Sequence, residues 1–148
     1  MKKRTILLIA ALCTAADQGV KAALEGRRLV LIPGVIGLDW TKNTGFALGL
    51  FPGGVTAALI LSAAVFLALL VLLWKTRVSG VTAVGLALVL GGALGNLIDR
   101  AFLGYVRDMF EFLFVRFSIF NLADACVTVG AALAAFGVIF REGEWGKT

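Results

Sequence analysis

The chain has 148 residues, of which 60% are hydrophobic and 16% charged, with a net charge of +5 and no histidine. Soluble domains carry roughly 25% charged residues, so this composition, with a mean hydropathy of +0.98, predicts a membrane protein built as one domain over residues 1–148. The missing histidine excludes Ser-His and Cys-His catalysis and most zinc sites, which leaves carboxylates, lysine, arginine, amides and hydroxyls for any chemistry.

Hydropathy predicts an all-α membrane protein with four transmembrane helices, each near the ~20 residues that cross ~30 Å of hydrocarbon. The first spans roughly Thr5–Leu24. Its basic-then-apolar start resembles a secretory signal, but Asp17 and Lys21 continue the helix, and Ala10-Ala11-Leu12 before Cys13 make a poor lipobox. Asp17 and Lys21 stand at i,i+4 on one face. Residues 25–54 follow, where "RRLVLIPGVIGLDW" sets apolar β-formers on both sides of Pro33-Gly34 and predicts a small β-rich cap. The block Asn43-Thr44-Gly45 precedes the second helix, Val55–Trp74, which has no charge.

The third helix is predicted over Val81–Ile98, with Gly91 and Gly95 as a small-xxx-small packing pair. Asn96, Asp99 and Arg100 share one side at its end. Residues 99–121 hold a Phe-rich run with no helical stripe, in which Phe110, Phe112, Phe114 and Phe117 suit an extended interfacial segment. Glu111 faces water, and Arg116 binds lipid headgroups or nothing. The fourth helix, Leu122–Phe140, opens with Asn121 and Asp124 at i,i+3, where Asn121 suits a helix cap. Cys13 and Cys126 sit in apolar runs and read as small buried residues, with neither a disulfide nor a metal site. No basic patch has interleaved aromatics, so no nucleic-acid partner is expected.

Lys and Arg divide evenly if both termini are cytoplasmic, seven on each side. The cytoplasmic segments are shorter, so their basic density is higher, and Lys2-Lys3-Arg4 flanks the first helix. Both termini are therefore expected in the cytoplasm, with Trp74 and Trp145 at the inner interface and the cap outside. All four spans then bring polar groups to one outer membrane level, where ionisable residues are costly and face a bundle interior or a water-filled cavity. Ion pairs and caps remain an alternative for Asp17–Lys21 and Asp99–Arg100.

Four blocks occur in order: "DQGVK", "NTGFAL", "GNLIDR…GYVRD" and "FNLAD". Together they closely resemble lipoprotein signal peptidase, or signal peptidase II, a family of bacterial inner-membrane aspartic endopeptidases with four membrane helices. The resemblance covers nearly the whole chain. It implies Asp108 and Asp124 as the catalytic dyad, with Asp17, Lys21, Asn43, Gly45, Asn96, Asp99, Arg100 and Asn121 as supporting or substrate-binding residues. It implies no cofactor and no metal. Two blocks depart from the family pattern: "NxGAAF" reads Asn43-Thr44-Gly45-Phe46-Ala47-Leu48, and "VVDF" reads Val106-Arg107-Asp108-Met109.

Two carboxylates held a few Å apart cannot both ionise cheaply, so they share a proton and can activate water against a peptide carbonyl. The implied substrate is a prolipoprotein carrying diacylglycerol on its cysteine, cleaved just before that cysteine by a monomer among membrane lipids. Two rivals stand beside this reading: a proton-coupled transporter subunit, in which the acids relay protons, and a non-enzymatic scaffold, in which they only pair with Lys21 and Arg100. The scaffold leaves Asp108 and Asp124 without a role.

Overall fold

A computed structural model describes residues 1–45, 54–78 and 80–140. The expectations for Phe46, Ala47, Leu48 and Trp145 fall outside those residues. Four helices are long and apolar enough to cross a membrane: α1 (Lys3–Ala23), α2 (Val55–Lys75), α3 (Gly80–Leu103) and α4 (Leu122–Phe140). Three of these match the expected spans to within two residues at each end. The third runs five residues past Ile98, because Asp99 and Arg100 find partners inside the protein and the helix need not stop at the first charge.

A three-stranded antiparallel sheet sits at one end of the helices, with β1 (Arg28–Ile32), β2 (Ile36–Asn43) and β3 (Val106–Phe112) in the order β1-β2-β3. The expected hairpin is β1–β2. Pro33 and Gly34 form its turn, and Val35 N–H donates to the Ile32 carbonyl at 3.0 Å. The third strand comes from the Phe-rich run, which is extended as expected over its first half. Asn43 is the last residue of β2 rather than part of a loop, and it pairs with Val106. Phe120 bridges back to Phe110, closing the excursion between them.

Helix α3 is the hub, and α1, α2 and α4 all pack against it. In lipid the hydrophobic effect does not drive helices together, so close backbone approach and polar contacts must. Gly91 and Gly95 provide that approach toward α1. A Cβ at Gly91 would stand 2.6 Å from the Ala10 carbonyl oxygen, and one at Gly95 would stand 2.5 Å from Asp17 Oδ2. Thr14 Oγ1 lies 2.9 Å from the Gly91 carbonyl oxygen and 3.0 Å from that of Ala10. Cys13 and Cys126 are free thiols whose Sγ atoms meet at 2.8 Å where α1 touches α4. Helix α2 stands at the edge, almost wholly facing outward.

The lysine-rich start of α1 and the α2–α3 turn share the end opposite the sheet. There Lys3 Nζ donates to the Trp74 carbonyl at 2.6 Å and lies 4.9 Å over the Trp74 ring. Gly91→Ala should lower thermal stability in detergent by about 1–3 kcal/mol through overpacking. Gly19→Ala, whose Cβ meets nothing within 4 Å, should be neutral or slightly stabilising. Equal melting temperatures for the two variants would count against α1–α3 packing through Gly91.

Candidate active site

The site is built where the C-terminal end of α1, the end of α3, the start of α4 and the strands β2 and β3 meet. Lys21 is its buried centre, with no exposed surface. Its three ammonium protons have three acceptors: Asp17 Oδ2 at 2.8 Å, Asp99 Oδ2 at 3.2 Å and Asn96 Oδ1 at 3.0 Å. The remaining carboxylate oxygens are used as well. Asp17 Oδ1 accepts the backbone N–H of Ala123 at 2.9 Å, one of the amides that the start of α4 leaves without an intrahelical partner. The ion-pair and cap readings of Asp17–Lys21 therefore both hold, with Asp17 capping α4 rather than its own helix.

The second layer holds Asp108 and Asp124. Asp108 lies on β3 and is 1% exposed. Asn43 Nδ2 donates to its Oδ2 at 2.8 Å, and Asn121 Nδ2 donates to its Oδ1 at 2.6 Å. Asp124 accepts from Asn96 Nδ2 at 2.8 Å through Oδ1 and from the backbone N–H of Asn121 at 3.2 Å through Oδ2. The Asp124 N–H donates back to Asn121 Oδ1 at 2.9 Å. This is a capping box in which Asn and Asp replace the usual Ser/Thr and Glu. Asn121 thus holds the Asp108 carboxylate through its side chain and the Asp124 carboxylate through its backbone N–H, and Asn96 Oδ1, which also accepts from Asn121 Nδ2 at 3.1 Å, links them to Lys21.

Gly45 contributes through its backbone. Its N–H donates to Asn43 Oδ1 at 2.9 Å, which fixes the Asn43 amide so that Nδ2 faces Asp108. Its carbonyl accepts from Arg100 Nη2 at 3.3 Å. Asn43, Asn96, Arg100 and Asp124 line a cleft of about 330 Å³, together with Ser62 from α2 and Thr128 from α4.

Burial, first, and then the charge of Asp124 push the Asp108 carboxyl up to about 6, against the hydrogen bonds from Asn43 and Asn121. No ion pair reaches Asp108 or Asp124 among the described residues. Every predicted site residue is found in this region. Asn96 and Asp99 both accept from Lys21 of α1, while Asn96 and Arg100 also line the cleft and Asp99 reaches β3. Helix α2 adds only the cleft wall through Ser62, so three helices and two strands, not four helices, bring the polar groups together.

Two residues of the network escape the sequence reading. Gln18 Nε2 donates to Asp99 Oδ1 at 3.1 Å and to the Gly95 carbonyl at 3.1 Å. Arg107 pairs with Asp99 at 2.8 Å and donates to Gln18 Oε1 at 2.7 Å. Gln18 carries no charge to flag it. Arg107 lies beside Asp108, where strand alternation sends it to the opposite face.

The chain matches the family model described as Signal peptidase (SPase) II over residues 9–140. It is 37% identical over 147 residues to a lipoprotein signal peptidase of Lactobacillus gasseri, covering 95% of this chain and 96% of that protein. It is 40% identical over 140 residues to a lipoprotein signal peptidase of Mesorhizobium japonicum, covering 88% of this chain and 82% of that one. A solved bacterial membrane enzyme structure superposes with a TM-score of 0.82 at 28% identity, covering 97% of this chain and 94% of that chain. With four apolar spans, a sheet-capped end and these matches along nearly its whole length, the chain belongs to the signal peptidase II family of membrane aspartic endopeptidases.

Proposed function

We propose that Asp108 and Asp124 are the catalytic pair, and that they cleave the signal peptide from a diacylglyceryl-modified prolipoprotein just before its lipidated cysteine. The observation that carries this reading is the bridge through Asn121, whose side-chain amide donates to the Asp108 carboxylate and whose backbone N–H donates to the carboxylate of Asp124, a residue that lines the cleft. The ionised acid takes a proton from water as that water attacks the scissile carbonyl. The protonated acid hydrogen-bonds the carbonyl oxygen and then donates to the leaving nitrogen. Asn43, Asn96 and Asn121 fix the acids, and Lys21 neutralises Asp17 and Asp99 behind them. Arg100 stands in the cleft, where it holds the Gly45 loop through its carbonyl. A proton relay fits less well, because each acid is bound to amides rather than strung along a path across the bilayer.

The sheet end faces the extracytoplasmic side, and both termini face the cytoplasm. The cationic residues Lys2, Lys3, Arg4, Lys75 and Arg77 gather at the end opposite the sheet, which suits the positive-inside rule. Cysteine introduced at Val30, an exposed strand position, or at Arg77, in a variant lacking Cys13 and Cys126, tests this in intact cells with an impermeant thiol reagent. Labelling at 30 but not at 77 is expected, and the reverse inverts the orientation.

Asp108→Asn and Asp124→Asn should each abolish cleavage while the protein inserts and melts as a folded species, since Asn keeps the size but cannot cycle a proton. Acyl chains contribute ~0.8 kcal/mol per buried CH₂, so they hold the scissile bond at the depth of the pair. In one detergent, a lipidated prolipoprotein should be cut, and an unlipidated one or a Cys→Ser version should not. Normal turnover by either Asn variant overturns the assignment, and equal cleavage of all three substrates overturns the substrate reading.

The raised Asp108 carboxyl also has a signature in stability. Folding favours its protonated form, so the folded state holds more protons than the unfolded state between the ordinary value of 3.8 and about 6. Stability should therefore fall as pH rises through that window, by an amount on the order of 3 kcal/mol, and stay level above it. Asp108→Asn should remove this slope from melting curves taken across pH. A slope that persists in the variant would assign it to other groups.

A further inference from the structure

We propose that Arg107 is a positioning residue for Asp108, holding the strand that carries it to α3 and α1; this rests on the reading of Asp108 as one of the catalytic pair. The arginine at this position turns away from the cleft, toward Asp99 and Gln18. Three donors of Arg107 converge on one carboxylate: its backbone N–H reaches Asp99 Oδ2 at 3.0 Å, Nε reaches the same oxygen at 3.3 Å, and Nη2 reaches Oδ1 at 2.8 Å. Nη2 also donates to Gln18 Oε1 at 2.7 Å. The backbone bond fixes the Val106–Arg107 peptide unit, one residue before Asp108. The side-chain fork then fixes the Asp99 carboxylate that accepts that bond.

Pairing to β2 reaches Asp108 only at the last residue before an irregularity. The β2–β3 register shifts between Leu38 and Thr41, and Thr41 is the residue opposite Asp108. The extra residue lies on β2, so the regular ladder ends at Asp108, and Arg107 adds a second restraint there from the other face. It also balances charge. Asp17 and Asp99 share the single cation Lys21, and Arg107, 12% exposed in its side chain, brings the second positive charge to the pair. With an apolar residue here, Asp99 would keep Lys21 and Gln18 but lose the fork that faces β3.

The test measures kcat and KM on a lipidated prolipoprotein in detergent, per folded protein and below each variant's melting temperature. Arg107→Val should lower kcat by roughly tenfold to a hundredfold, as expected for a displacement on the order of 1 Å, with KM within about twofold. Arg107→Lys keeps a cation near Asp99 but cannot make the fork, so its kcat should fall between wild type and Arg107→Val. Gln18→Ala removes one contact only and should cost kcat a few-fold, and it carries the test with Arg107→Lys if Arg107→Val does not fold. The proposal is overturned by a kcat of Arg107→Val within about twofold of wild type, or by a loss that disappears on correction for folded protein. Asp108→Asn is assayed beside them. If it is inactive, a normal Arg107→Val overturns only the positioning role; if it is active, the reading of the pair falls instead.

Discussion

The buried ammonium of Lys21 is the interaction on which the rest of the site depends. An unpaired lysine at membrane depth is costly, and a buried ion pair is tolerated only when its remaining hydrogen-bonding capacity is met. Lys21 meets that condition by giving one proton to each of two carboxylates and one to an amide oxygen. The last of these has the furthest reach. With Asn96 Oδ1 committed to Lys21, the Asn96 Nδ2 must point the other way, and it points at Asp124. Asp17, held from one side by Lys21, offers its other oxygen to the first turn of α4. Lys21 thus orients the opening of α4 twice, once through an amide and once through a carboxylate, without touching Asp124 in an ion pair.

This arrangement needs the helices closer than ordinary side chains allow. Asp17 sits against the bare backbone of Gly95, and Thr14 reaches the Gly91 carbonyl one turn further from the sheet. The packing that brings α1 onto α3 and the polar network therefore support each other: the glycines admit the carboxylate, and the carboxylate gives the helices a reason to associate in lipid. Helix α2 takes no part in this. It meets the bundle through α3, so the space beside α4 remains as a cleft with a polar floor and the side chains of Ser62, Val65, Val127 and Thr128 for walls.

Much of this was legible in the sequence because it is encoded locally. Runs of apolar residues gave the four spans, Pro33-Gly34 gave the hairpin, and the ordered polar blocks picked out the ten residues that gather at the site. What escaped is encoded by partners distant in the chain. Helix α3 outlasts its hydropathy signal because Asp99 is neutralised by Lys21, 78 positions earlier, and by Arg107 after the turn. The Phe-rich run reads as extended, but its place as the third strand depends on pairing with residues 36–43, which no local pattern specifies. Gln18 has no local signal, because the partners of its amide, Asp99 and Gly95, come from another helix.

The apolar run between Asp108 and Asp124 is held by the backbone. Residues 109 and 110 both donate to the Phe120 carbonyl, at 3.0 and 2.8 Å, and the Phe120 N–H returns to Phe110 at 2.9 Å. The segment is pinched shut at its base, immediately beside Asp108 and Asn121. Phe112, Phe117 and Phe120 stack above the pinch, while Phe114 and Phe117 leave at least half of their surface exposed. One end of the run anchors the strand that carries Asp108, and the other opens the helix that carries Asp124. A segment written in phenylalanine thus holds two polar residues in register by backbone hydrogen bonds that no membrane lipid can replace.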